Sequence, residues 1–169
     1  MITGLILGIE VPDEGPLFMA ALGVHVLSGM TCVVAGAVAA TARKQPGRHP
    51  RAGRVYCAGI AVVFASATVL AVTRWSHDWY LFVVGLLAFT AACAGYTHRR
   101  LQRPGWTRRH LAGMSVSYIA LLTAFYVDVG PQLPVWNRLP IWALWLIPST
   151  VGTPITARAL WIRDGPLTR

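Results

Sequence analysis

Three histidines carry most of the chemistry this sequence offers: His25 inside an apolar stretch, and His49 and His110 each just ahead of another. An imidazole so placed can ligate a haem iron or another metal, relay a proton, hydrogen-bond a quinone carbonyl, or tie one helix to the next. Ionisable groups inside a membrane span are rare and are functional candidates by default, and His25 is the histidine that lies well within one. His49 and His110 stand at the same end of their spans. Helices that pack together can bring them to a shared metal or one anionic headgroup, and the plain alternative is two solvated histidines in basic loops. His25 lies about 12 Å from the outer end of its span at about 1.5 Å per residue, so it cannot share one haem with the inner pair. A haem here needs a single histidine ligand, an unusual second ligand such as Met30 or Met114, a partner subunit or a re-entrant cytoplasmic loop.

Other chemistries lack their residues. There is no paired carboxylate within the apolar stretches, no glycine-rich phosphate loop, no HExxH and no serine elbow. Cys32, Cys57 and Cys93 all fall in apolar stretches and imply neither a disulfide framework nor a zinc site. Transport finds little support, because inverted repeats and intramembrane acids are missing.

The elements that position the histidines are membrane spans. The 169-residue chain is 55% hydrophobic and 12% charged, about half the charged share of an ordinary soluble domain. The expected fold is an all-α polytopic transmembrane bundle of about five spans, at residues 17–41, 54–73, 79–97, 111–127 and 140–161. Residues 1–16 form an extracytoplasmic segment without the basic start of a signal peptide, and residues 162–169 a cytoplasmic tail. Small residues recur at three- and four-residue spacing: Ala21, Gly29, Cys32, Gly36 and Ala39 with His25; then Gly85, Ala88, Ala92 and Gly95; then Gly113, Ser117, Ala120 and Ala124. Such stripes let neighbouring helices approach closely. Pro148 and Pro154 interrupt the last span, where Ser149, Thr150, Thr153 and Thr156 are placed to satisfy freed carbonyls.

Net charge is +9, which in a soluble protein would suggest nucleic acid, but here the basic residues sit in short loops beside apolar spans. Counting loops alternately, one side holds all of the 15 basic residues except Arg74 and Arg138, and the other holds all of the 6 acidic residues except Asp164. The positive-inside rule then predicts N-outside and C-inside, a multi-pass protein of the cell membrane. Arg48, Arg51, Arg108 and Arg109 are the expected contacts for anionic lipid headgroups.

The stretches RKQPGRHPRAGRVY (43–56), GYTHRR (95–100) and WTRRHLAGMSVSY (106–118), following His25 in a small-residue helix, resemble the bacterial membrane protein family known as domain of unknown function 2306. The likeness covers about residues 25–158. The family's histidine in the first span, its H-R-x-x-G-R-x-Y signature and its H-x-x-x-M motif would fall on His25, on His49 with Gly53, Arg54 and Tyr56, and on His110, Met114, Ser117 and Tyr118. Pro50 stands where the family shows an arginine, with Arg51 displaced by one. The resemblance implies a membrane topology and a linked set of histidines, with Arg54, Tyr56, Met114 and Tyr118 in support.

Two functional expectations follow. One is a redox-linked membrane protein binding haem b or a metal through His25, or through His49 with His110, and exchanging electrons with a partner. The other is a non-enzymatic accessory or assembly subunit, acting with a membrane protein partner or as a homo-oligomer through helix packing and a basic cytoplasmic face.

Overall fold

A computed structural model describes residues 3–6, 9–12 and 15–164. Five long helices form the bundle: α1 (Pro16–Thr41), α2 (Arg48–Thr73), α3 (Trp75–Leu101), α4 (Trp106–Val129) and α5 (Ile141–Asp164). The N-terminal segment adds a small antiparallel hairpin, β1 (Thr3–Ile6) with β2 (Ile9–Pro12), to the expected all-α bundle. Of the cytoplasmic tail expected at 162–169, residues 165–169, Arg169 among them, lie outside the described residues.

Four of the helices, Pro16–Thr41, Arg48–Thr73, Trp75–Leu101 and the one beginning at Trp106, are long and apolar enough to cross a membrane. Their hydroxyls bond within the helix, Thr31 to Leu27 O, Thr68 to Phe64 O and Thr90 to Leu86 O, so that these polar atoms need no water. Large apolar side chains point outward, with Leu17 70% and Leu27 72% exposed, as a bundle solvated by lipid requires. α5 is long enough to span but is not among the helices apolar enough to do so, because Pro148, Pro154 and its Ser and Thr residues dilute it. Thr150 and Thr156 bond Ile147 O and Gly152 O, whereas the i−4 carbonyls opposite Pro148 and Pro154 are those of Leu144 and Thr150.

Helix ends differ from expectation where the chain turns basic. α2 begins at Arg48 and α4 at Trp106, so His49 and His110 lie inside helices and not in loops. Gly47 (φ 124°) and Gly105 (φ 75°) make the breaks, in backbone conformations that side chains resist. Pro50 then falls within the first turn of α2, where helix N–H groups have no intrahelical partner anyway. The break between α2 and α3 is Arg74 alone, and Asp78, one turn into α3, meets its guanidinium at 3.7 Å.

α1 packs along α2, α3 along α4, α2 against α3 and α5 against α4, with a lighter contact from α4 back to α1. The core is thin and made of small residues: Cys32 and Ala35 of α1, Ala88 and Ala92 of α3 and Ala120 of α4 surround Tyr56, Ile60, Val63 and Leu121. The α3–α4 seam is closest at Gly113, where a methyl group would come within 2.8 Å of Ala91 O and 2.9 Å of Gly95 N.

Candidate functional site

At the basic end of the bundle, α2 and α4 each present a histidine in their opening turns. His49 Nδ1 lies 2.9 Å from Ala39 O at the end of α1, and His110 Nδ1 lies 2.9 Å from Gly95 O of α3. A carbonyl oxygen only accepts, so each Nδ1 carries the hydrogen and donates it. In the neutral ring the lone pair then resides on Nε2. The two rings stand edge to face, with centroids 6.5 Å apart and planes at 88°, and the Trp106 indole lies 6.4 Å from His110.

Each ring is thus anchored by the helix preceding its own, and the anchored rings lie edge to face beside one another. The small residues explain how. Gly95 and Gly113 let α3 and α4 approach until Gly95 O is within reach of His110. The Pro46–Gly47 turn folds α2 back so that His49 meets the last turn of α1.

Below the histidines, Tyr56 Oη and Ser117 Oγ share a hydrogen bond of 2.7 Å, with Tyr56 1% exposed and Ser117 0%. Tyr118 donates to Val33 O at 2.9 Å, its ring filling the space where a Cβ on Gly36 would sit, and so joins α4 to α1. Met114 packs against Gly95 in the same region. Sequence reasoning named Tyr56 and Tyr118 but not Ser117 as a hydrogen-bond partner, nor Trp106 beside His110. A signal for the first was present: Tyr56 follows His49, and Ser117 follows His110, by the same interval (49 to 56, 110 to 117).

The third histidine is elsewhere. His25 lies about 21 Å along α1 from Ala39 at about 1.5 Å per residue, so the fold does not gather all three. Its Nδ1 is 3.1 Å from Ser66 Oγ of α2. Ser66 gives its own hydrogen to Val62 O and Val63 O, at 2.8 and 3.0 Å, and therefore accepts from His25. This is a helix-to-helix tie of the kind that holds membrane bundles together. Met30, an alternative partner for a haem on His25, is 55% exposed on the outside of α1.

Electrostatically the His49–His110 end is strongly positive. Arg48, Arg51, Arg54, Arg108 and Arg109 are exposed in the opening turns of α2 and α4, neither of which has an acidic residue in its first turn. The positive ends of both helix dipoles add to this charge, so an anion is favoured there. Among the described residues no group of three or more His, Cys, Asp or Glu side chains could hold a metal ion, so the protein donors at this end are the two imidazoles. Comparison with protein families, with curated proteins and with solved structures finds no match to this chain.

Proposed function

We propose that the chain is a redox-linked membrane protein that binds haem b between His49 and His110. The observation that carries this reading is the pair of neighbouring imidazoles with centroids 6.5 Å apart, each held through Nδ1 by a backbone carbonyl. His49 and His110 would hold the metal of such a group through Nε2, the nitrogen that carries the lone pair when Nδ1 donates to its carbonyl. Two donors cannot complete the tetrahedral set of a structural zinc ion, whereas a porphyrin brings its remaining donors with it.

When bound, such a group supplies one-electron chemistry. The chain's contribution is positional. Ala39 O and Gly95 O orient the rings and raise their basicity, as outer partners of ligating histidines do. Arg48, Arg51, Arg108 and Arg109 supply counter-charge for carboxylates or for anionic headgroups at the same end. Tyr56, Ser117 and Tyr118 hold α1, α2 and α4 in register beneath.

The same proposal includes five membrane crossings, N-outside and C-inside, resting on the basic asymmetry of the loops. It includes kinship with domain of unknown function 2306, resting on the motifs around His49 and His110. A role as an accessory subunit is the second reading, favoured by His25, whose bond to Ser66 is structural.

An optical spectrum of the full chain in detergent, recorded with metal analysis and with added haem, tests the function. The expected result is a Soret band with reducible α and β bands, lost in His49→Ala and His110→Ala and kept in His25→Ala. Circular dichroism separates loss of a ligand from loss of fold. The reading fails if the folded wild-type chain takes up no haem, or if the band survives both substitutions.

A further inference from the structure

Away from the histidine pair, α2 and α3 leave an open groove of about 370 Å³, lined mainly by apolar atoms of Cys57, Ala61, Phe89 and Cys93, with Arg54 and Tyr96 at its basic end. From Arg54 to Ala61 it runs about 10 Å along α2 at about 1.5 Å per residue, roughly two thirds of one leaflet of a core about 30 Å thick. The rim is cationic. Arg100 lies over the Tyr96 ring, 5.9 Å from its centroid, on the same side as Arg54. No ion pair joins either arginine to a carboxylate among the described residues, and the Arg74–Asp78 pair is at the opposite end.

We propose that this groove holds one acyl chain of an anionic phospholipid, with the phosphate between Arg54 and Arg100. An apolar trough with Arg54 at its basic end, and with Arg100 over the Tyr96 ring that lines it, matches an amphiphile with a long chain and a negative head. It suits neither a fully polar ligand nor a neutral hydrocarbon. The flanking arginines Arg48, Arg51, Arg108 and Arg109 also attract headgroups, but they do not line this groove, where head and chain are coupled. The proposal depends on the bundle lying in a bilayer and is independent of haem.

Native mass spectrometry of the full chain, released from detergent micelles after addition of phosphatidylglycerol or phosphatidylcholine, tests it. Wild-type protein is expected to retain phosphatidylglycerol at least tenfold better. Near-surface cation–lipid attraction implies losses of about fivefold in Arg54→Gln and about thirtyfold in the Arg54→Gln/Arg100→Gln pair. Cys93→Phe, at an exposed position, is expected to fill the groove and abolish retention while helicity by circular dichroism is unchanged. Equal retention of the two lipids overturns the proposal. So does a Cys93→Phe variant that binds phosphatidylglycerol as wild type does, since attraction would then come from the basic surface alone.

Discussion

Removing the Ser117 hydroxyl should destabilise the bundle more than removing the Tyr56 hydroxyl, although both changes delete the same 2.7 Å hydrogen bond. In Tyr56→Phe the serine can swing to the carbonyl one turn back in α4, as Ser66 does toward Val62. Only the interhelical bond is lost, at a cost of about 0.6 kcal/mol, the average for such bonds in membrane bundles. In Ser117→Ala the phenol stays in a core from which water is excluded and has no such local acceptor, so the cost rises to about 1–3 kcal/mol. The double variant has no stranded hydroxyl and should cost less than the two single changes combined, by about 1 kcal/mol. Unfolding of the detergent-solubilised protein in increasing sodium dodecyl sulfate, followed by far-ultraviolet circular dichroism, measures all three. A Tyr56→Phe cost equal to or above that of Ser117→Ala, or strict additivity in the double variant, would refute the reasoning.

Gly113→Ala should cost about 1–3 kcal/mol as an overpacked seam, because its methyl meets backbone at 2.8–2.9 Å that cannot rotate away. It should also weaken haem uptake, since Gly95 anchors His110; a thermal melt and a haem titration of the variant check both. Gly36→Ala should lower the melting temperature by forcing the Tyr118 ring aside, whereas Gly29→Ala, with nothing within 4 Å, should leave it unchanged or raise it slightly. His25→Ala and Ser66→Ala should destabilise by similar amounts, with a double variant little worse than either, as their direct bond demands; denaturant titration of the set decides.

The contrast between Gly29 and Gly36 shows what could be read in advance. Periodicity identifies the face of α1 that packs, but which turn along that face meets a neighbour depends on where α4 crosses, and only Gly36 lies under Tyr118. The helices themselves were legible because apolar runs of spanning length have few alternatives. Their basic ends were not, because RHPRAGR and WTRRH read as loop by composition, while Gly47 and Gly105 had already made the turns. Similarly, the shared depth of His49 and His110 was visible in the sequence, but their anchors were not. Ala39 and Gly95 hold the rings through carbonyl oxygens, which every residue possesses.

The arrangement of those anchors suggests why the two histidines meet at all. α1–α2 and α3–α4 are hairpins of one plan: a Pro–Gly turn (Pro46–Gly47, Pro104–Gly105), a histidine soon after it, and a bond from that ring back to the preceding helix. One interval further on, Tyr56 and Ser117 bond to each other, and one turn beyond them Ile60 and Leu121 share the core. Corresponding residues of the two hairpins therefore keep meeting across the bundle. Such correspondence is what two like halves produce when they pack about an axis between α2 and α4. A residue on that axis meets its counterpart automatically, so a single histidine position in the hairpin plan supplies two neighbouring imidazoles. The two hairpins are closed differently, α3 meeting α4 at Gly95–Gly113 and α1 meeting α2 where Cys32 lies against Gly59. The two anchors differ accordingly: Gly95, inside α3, is backed by the close seam with α4, whereas Ala39 O, in the last turn of α1, also accepts from Lys44 Nζ at 2.9 Å. The His110 ring is therefore seated on closely packed backbone, and the His49 ring on a carbonyl that it shares with Lys44 Nζ.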